Sequence, residues 1–274
     1  MFSIFKKLSP QKQAVVNESF EQYEAGLPTH QKAIDALPGW NSAFPPQFGL
    51  TAGTHHLYAD PRLEWAISKY GDMSGKRVLE VGPLEGMHTY RLSKENPSVI
   101  EAIEANKPCF FRCLVTKQIM NTERAVFYLG DIQEWLKLPR EPYDLAIASG
   151  VLYHMPDPAD FLRALAAQSR AVFIWTHYFD DEAMPRTDVR RAPFSESHET
   201  RNIDGLEVNY YERHYQDANK NAVFCGGLKD KHYWMRKADI IELLRAFGLG
   251  NISIEHDNPN HPGGPSFSIF ARGD

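Results

Sequence analysis

Cysteine is scarce in this 274-residue chain: Cys109, Cys113 and Cys225 are all there are. So few, so unevenly spaced, exclude a disulfide framework and a structural zinc site. Cys109 and Cys113 stand four apart on one face of an expected helix and read as small apolar packing residues. Positive charge is also short, with 30 Lys and Arg against 35 Asp and Glu, so no broad nucleic-acid-binding face is expected. No apolar run approaches the ~18 residues of a membrane span, and the opening "MFSIFKKLSP" has no signal-peptide core. No membrane association is expected, and the expected compartment is the cytoplasm. Repeats and low-complexity tracts are missing as well. What is present is an ordinary globular composition, 43% hydrophobic, enough for one large α/β domain or one domain with an embellishment.

Ser9-Pro10 reads as a helix start, Ser at the N-cap and Pro at the first helical position. Residues 26–60 are rich in Pro, Gly and aromatics without periodicity, so 1–59 is expected to be a cap of helix and loop. Asp60-Pro61 opens a helix that Gly71 closes. Apolar runs at 77–81, 98–103, 125–128, 143–148 and 171–175 then alternate with the helical stretches "CFFRCLVTKQIM" and "PADFLRALAAQ". That rhythm implies βαβ units and a parallel sheet with helices on both faces, over residues 60–176. It breaks at 177–232, a polar, aromatic-rich insertion expected to be a lid over an acceptor site. Residues 233–274 close the chain with a helix, against which Trp234 is expected to pack, and two strands joined by "NPNHPGGP".

The stretch "RVLEVGPLEGMHTYRL" places a strand, a glycine turn and a helix N-terminus in succession. A phosphate loop would need Lys-Ser/Thr after its last glycine, where Met87-His88 stand; a dinucleotide fingerprint would need glycines where Leu84 and Met87 stand. A carboxylate ahead of the glycines, Glu80, fits neither. Glu80-Val81-Gly82-Pro83-Leu84-Glu85-Gly86 resembles the nucleotide-binding motif of class I S-adenosylmethionine-dependent methyltransferases, [D/E]-x-G-x-G-x-G, with Leu84 at the middle glycine. Later elements follow the same family pattern: "VIEAIEAN", "LGDIQEW", "YDLAIASGVLYHMPDP" and the closing helix and hairpin.

The resemblance implies a three-layer α/β, Rossmann-like sheet of seven strands, mostly parallel, ending in an antiparallel hairpin. It implies S-adenosyl-L-methionine as cofactor and S-adenosyl-L-homocysteine as product. Glu80, Gly82, Pro83, Leu84 and Gly86 would form the loop at its methionine part, with Glu85 facing solvent. Glu104, beside Ala105, would accept from both ribose hydroxyls. Asp131 would accept from the adenine amino group, with Ile132 against the ring, and Ser149, Gly150 and His154 would line the methionine end.

A hydroxyl or ammonium acceptor must lose a proton, and histidine suits that work near neutral pH. His177 is the first candidate and His154 the second. His55, His56, Tyr178, Tyr210, Tyr211, His214 and Cys225 are candidates for acceptor contacts. A small-molecule acceptor is the leading expectation. "SGVLYHMPDP" is also similar to tRNA wobble-uridine carboxymethyltransferases, which use a carboxylated cofactor and would need an added cation facing it. A third possibility is a non-catalytic cofactor-binding protein with the lid as a partner surface.

Overall fold

The computed structural model describes residues 23–218 and 224–273; the helix expected from Ser9-Pro10 falls outside them. After a short cap helix α1 (His30–Asp35), α2 (Pro61–Tyr70) begins as its sequence dictates: Asp60 caps it by accepting from Arg62 N, and Gly71 ends it at φ 91°. Its buried residues, Leu63, Ala66 and Ile67, follow the i, i+3, i+4 spacing of one helical face.

The regular part runs β1 (Arg77–Val81), α3 (Met87–Ser93), β2 (Val99–Glu104), α4 (Lys107–Met120), β3 (Ala125–Leu129), α5 (Ile132–Leu136), β4 (Leu145–Ser149), α6 (Pro158–Ala167) and β5 (Ala171–His177). The insertion supplies β6 (Phe194–Ile203), β7 (Leu206–Arg213) and β8 (His232–Trp234); α7 (Lys237–Ala246), β9 (Asn251–Asn258) and β10 (Ser266–Arg272) follow. The main sheet has seven strands in the order β3-β2-β1-β4-β5-β10-β9. Neighbours from β3 to β5 pair in parallel, and β10 pairs antiparallel with both β5 and β9. β1 and β4 are adjacent although three helices and two strands separate them in sequence. Strand order therefore reverses at β1, and the crevice at the carboxyl ends of β1 and β4 is where such a sheet takes its ligand.

Both faces of the sheet are covered. Leu79, Val81, Ala146 and Ile174 pack beneath α5, α6 and α7, while Val78, Ile100, Leu145 and Phe173 pack beneath α2 and α4. Burial on both faces explains why these strands read as continuous apolar runs. Cys109 and Cys113 are both buried in α4, as their spacing predicts. The cap packs Ile34 and Phe44 onto Met87 of α3 and Ile119 and Met120 of α4.

The insertion folds as a separate sheet, β6-β7-β8, and reaches two residues beyond the boundary expected at 232. Trp234 consequently belongs to β8, packing on Phe179, Met184 and Tyr211, and not to the closing helix. Val208, Tyr210 and Tyr233 point the other way, into the core over α6 and α7.

Candidate active site

The site begins at the turn after β1. Gly82 turns at φ 63°, its N–H donates to Ile103 O (2.9 Å), and a Cβ there would come 3.1 Å from Val151 Cγ2. Leu84 also turns left-handed, at φ 57°, so leucine holds the conformation that glycine adopts at no steric cost. Gly86 then caps α3.

Three acids organise this turn differently. Glu104, at the tip of β2, is 7% exposed; its Oε2 accepts from Leu84 N (3.1 Å) and its Oε1 from Asn106 N (2.7 Å). Burial pushes its carboxyl up to about 7 against the pull of the Asn106 and Leu84 donors. Each oxygen keeps a further lone pair, as a vicinal diol requires. Glu80 is buried beneath the loop and accepts from Thr89 Oγ1; burial raises its carboxyl, opposed by His88 and Thr89. It ties β1 to α3.

Glu85 overturns the expectation that it faces solvent. It is fully buried, accepts from Asn41 N (2.7 Å) and Ser42 N (2.6 Å), and stands 3.6 Å from Arg112 Nε. Arg112 in turn donates to Pro38 O and Gly39 O of the cap. Nothing in the local sequence reveals these partners, which arrive from 43 and 44 residues away.

At the tip of β3, Asp131 caps α5 by accepting from Gln133 N at Oδ1 (2.9 Å), and Ile132 behind it is buried. On the cap side, Asp60 accepts from Arg62 (2.6 Å) and from His88 Nε2 (3.0 Å). Burial would raise its carboxyl, but the hydrogen bonds from His88 and Arg62 outweigh it and hold it well below the usual range.

Beyond β4 the chain turns at Gly150 (φ 82°) into Tyr153 and His154. Tyr215 of the insertion accepts from Gly227 N (2.7 Å), which leaves its hydroxyl proton for His154 Nδ1 (2.6 Å). That network assigns the His154 proton to Nε2, so its remaining nitrogen is a donor and not a base. Burial, with Arg213 and the neighbouring His232 and His177, holds it neutral.

His177, at the end of β5, has the opposite tautomer. Its Nδ1–H donates to Gly264 O (2.8 Å), leaving the lone pair on Nε2. Burial lowers it to about 4 although the Gly264 carbonyl pulls the other way. Trp234 stacks on the ring (5.0 Å, 5°), and Tyr153 (4.6 Å), Trp175 (5.1 Å) and His261 (5.0 Å) surround it.

Next to this aromatic cage lies a cleft of about 590 Å³ lined by His55, His56, Arg62, Trp175, His256 and His261, among others. The Arg62 guanidinium lies 4.2 Å from the Trp175 ring centroid. The two cap histidines thus share a cleft with the end of β5.

Other acceptor candidates go elsewhere. Tyr210 is fully buried and donates to Asp157 (2.9 Å); Tyr178 packs on Phe267 and donates to Asp257 (3.2 Å). Tyr211 stacks on Phe179 at 3.5 Å, and His214 is held between Glu212 and Asp230 at the insertion's outer edge. These four are structural. Cys225 is exposed on a strap whose Phe224 O accepts from Asn106 Nδ2 (3.2 Å), so it borders the β2 tip instead of the cleft. Sequence reasoning missed Tyr153, Trp175, Arg62, His261 and Arg213. Only Trp175 carried a readable sign, since strand alternation puts it on the same face as His177.

A family model described as a methyltransferase domain matches residues 53–254. The tRNA U34 carboxymethyltransferase of Pseudomonas savastanoi pv. phaseolicola is 29% identical over 146 residues, covering 49% of this chain and 41% of the relative. That of Idiomarina loihiensis is 28% identical over 158 residues, covering 57% and 48%. The chain therefore spans less than half the length of these curated relatives. The N-terminal domain of EvdMO1 with SAH bound superposes with a TM-score of 0.67 at 20% identity, covering 89% of this chain and 95% of that one. Burkholderia thailandensis 1,6-didemethyltoxoflavin-N1-methyltransferase gives 0.50 at 18%, covering 80% and 79%; at these identities both speak to the fold. With the family match spanning most of the sheet and strand order reversing at the glycine turn, the chain belongs to the class I S-adenosylmethionine-dependent methyltransferase family.

Proposed function

We propose that this protein transfers a methyl group from S-adenosylmethionine to a small-molecule acceptor bound in the cleft between His55, His56 and Trp175. The carrying observation is the buried Glu104 carboxylate at the β2 tip, held against the glycine turn by Leu84 N. Its remaining acceptor capacity suits the ribose diol, and Asp131, one strand over, suits the adenine amino group. When bound, the cofactor supplies an electrophilic methyl on a sulfonium.

Orientation inside a water-poor pocket supplies much of the acceleration in such a transfer. The cage of Tyr153, Trp175, His177 and Trp234 provides that environment. His177 takes the acceptor proton at Nε2, because Gly264 O fixes its other nitrogen as a donor. His154 serves as a positioning residue, its ring locked by Tyr215.

The names of the curated relatives support a second reading, carboxymethyl transfer from a carboxylated cofactor to tRNA. The net charge of −5 counts against a tRNA surface. Calorimetry with S-adenosylmethionine and S-adenosylhomocysteine tests the binding class; failure of both to bind overturns the proposal. Mass spectrometry of the co-purified ligand separates the ordinary from the carboxylated cofactor. His177→Ala is expected to lower turnover by about 10²–10⁴-fold with cofactor affinity nearly unchanged, and a large loss of affinity would reassign it.

A further inference from the structure

Arg213, at the end of β7, has no counterion among the described residues. The insertion's Arg190, Arg191 and Arg201 pair with Asp188, Asp181 and Asp157 plus Glu199, and Arg236 reaches Asp181. Among the described residues no carboxylate lies within ion-pair distance of Arg213, and its buried Nε has no hydrogen-bond partner. Nη1 stands 3.3 Å from His232 Nε2. His232 already donates from Nδ1 to Asp230 O (2.8 Å), so it offers Nε2 as a neutral acceptor and cancels no charge.

The location is informative. The guanidinium lies 5.2 Å from the Trp234 ring centroid and 5.8 Å from that of Phe194. Trp234 is the residue that stacks on His177, and His232 is 6.0 Å from the His154 ring. One ring stands between Arg213 and each of the two histidines at the carboxyl edge, Trp234 before His177 and His232 before His154, and Arg213 keeps part of its own surface open, as Tyr153 and His154 do. Burial lowers its affinity for a proton, the mark of a charge held without compensation.

Resting on the methyl-transfer reading above, we propose that Arg213 is the recognition cation for a carboxylate brought to the transfer centre. A half-buried guanidinium whose buried Nε is unpaired carries a desolvation cost that an incoming anion offsets, and its planar fork fits a carboxylate through two parallel hydrogen bonds. A phosphate dianion would call for a second cation. The nearest ring groups, His154, His177 and His232, are neutral instead, and the flanking Trp234 and Phe194 form flat apolar walls. Two sources share this chemistry, the acceptor's own carboxylate and a carboxylated cofactor.

The test uses the full chain and the smallest carboxylate probe. Thermal unfolding is followed while acetate, and separately acetamide, is titrated at constant ionic strength into wild type, Arg213→Gln and Arg213→Lys. The two variants differ in charge, so lost packing on Trp234 cannot mimic the result. Wild type is expected to show a saturable acetate response that acetamide does not reproduce. Half-saturation should weaken about tenfold in Arg213→Gln and less in Arg213→Lys. An equal response in wild type and Arg213→Gln, or none in either, overturns the proposal. S-adenosylhomocysteine calorimetry on the same samples reads the methyltransferase assignment separately. Comparing S-adenosylmethionine with its carboxylated analogue then locates the carboxylate. A wild-type preference for the analogue that Arg213→Gln abolishes places it on the cofactor, and no preference places it on the acceptor.

Discussion

At the glycine-turn end, carboxylates gather backbone N–H groups: Glu104 takes Leu84 and Asn106, and Glu85 takes Asn41 and Ser42. At the insertion end the bonds run mostly between side chains, as in His154–Tyr215, Arg213–His232, Tyr210–Asp157 and Tyr233–Glu199. Backbone donors exist whatever the residue, so one well-placed acid suffices to fix the first end. The second end depends on matched pairs from distant parts of the chain. A nucleoside is constant across a methyltransferase family while acceptors vary, and the two kinds of bonding suit those two demands.

The largest effect should come from breaking the backbone-gathering end. Glu85→Gln leaves Arg112 buried and uncompensated, a change that costs roughly 3–5 kcal/mol. The melting temperature should fall by roughly 10 °C in differential scanning calorimetry. Tyr233→Phe, which removes a side-chain bond to Glu199 (2.7 Å) at the other end, should cost about 1 kcal/mol. Equal losses would erase the distinction.

Acid separates the ends by sign. His177 and His232 sit at about 4 in the fold, both mainly through burial, against the 6.5 they start from. The unfolded chain takes up their protons first, so their stability is lost as pH falls from 6.5 to about 4. Glu104, raised to about 7 from 4.5, is protonated first in the fold, so its contribution grows as pH falls from 7 to 4.5. Between pH 7.5 and 5, each histidine should remove about 2 kcal/mol and Glu104 return about 2 kcal/mol. Urea unfolding at the two pH values should show a net loss, smaller in His232→Gln and larger in Glu104→Gln. A gain in wild-type stability at pH 5 would refute the burial of the histidines.

The same asymmetry governs what the residues alone disclose. The strands at 77–81 and 171–175 and the cap at Asp60 follow from local periodicity and capping, because each βα unit closes on itself, while the carboxylates at 104 and 131 are singled out by the family resemblance. Leu84 breaks the motif by letter yet keeps its backbone turn, so the pattern survived a missing glycine. Glu85 was misread because its donors come from a cap without periodicity. Tyr210 and Tyr211 looked alike in sequence, but alternation along β7 sends one into the core over α6 and the other onto Phe179. Which face of an insertion strand meets the core depends on how the small sheet docks, and no neighbouring residue encodes that.

Cofactor affinity should respond to Glu104 more modestly than stability does to Glu85. Glu104→Gln replaces the charged acceptor proposed for the ribose hydroxyls and should weaken S-adenosylhomocysteine binding by about 1.5–3 kcal/mol, tenfold or more. In wild type, affinity should rise with pH up to about 7, where the free protein's Glu104 ionises, and level off above. Calorimetry across that range checks both, and the variant should lose the pH dependence with the affinity. A pH-independent wild type would remove Glu104 from the ribose.

The smallest effect isolates the backbone of the turn. At most positions Ala is more stable than Gly, because Gly has more freedom to lose on folding. At Leu84, φ is 57°, where a Cβ crowds the following carbonyl at a cost of about 1–2 kcal/mol. Leu84→Ala and Leu84→Gly lose similar side-chain burial but only Gly relieves the strain, so the usual order should invert. Leu84→Gly should exceed Leu84→Ala by about 1 kcal/mol in urea unfolding. Both should retain the N–H donated to Glu104, and hence S-adenosylhomocysteine binding. If Ala matches or exceeds Gly, the turn at 84 is not left-handed, and Leu84 N has no reason to meet Glu104.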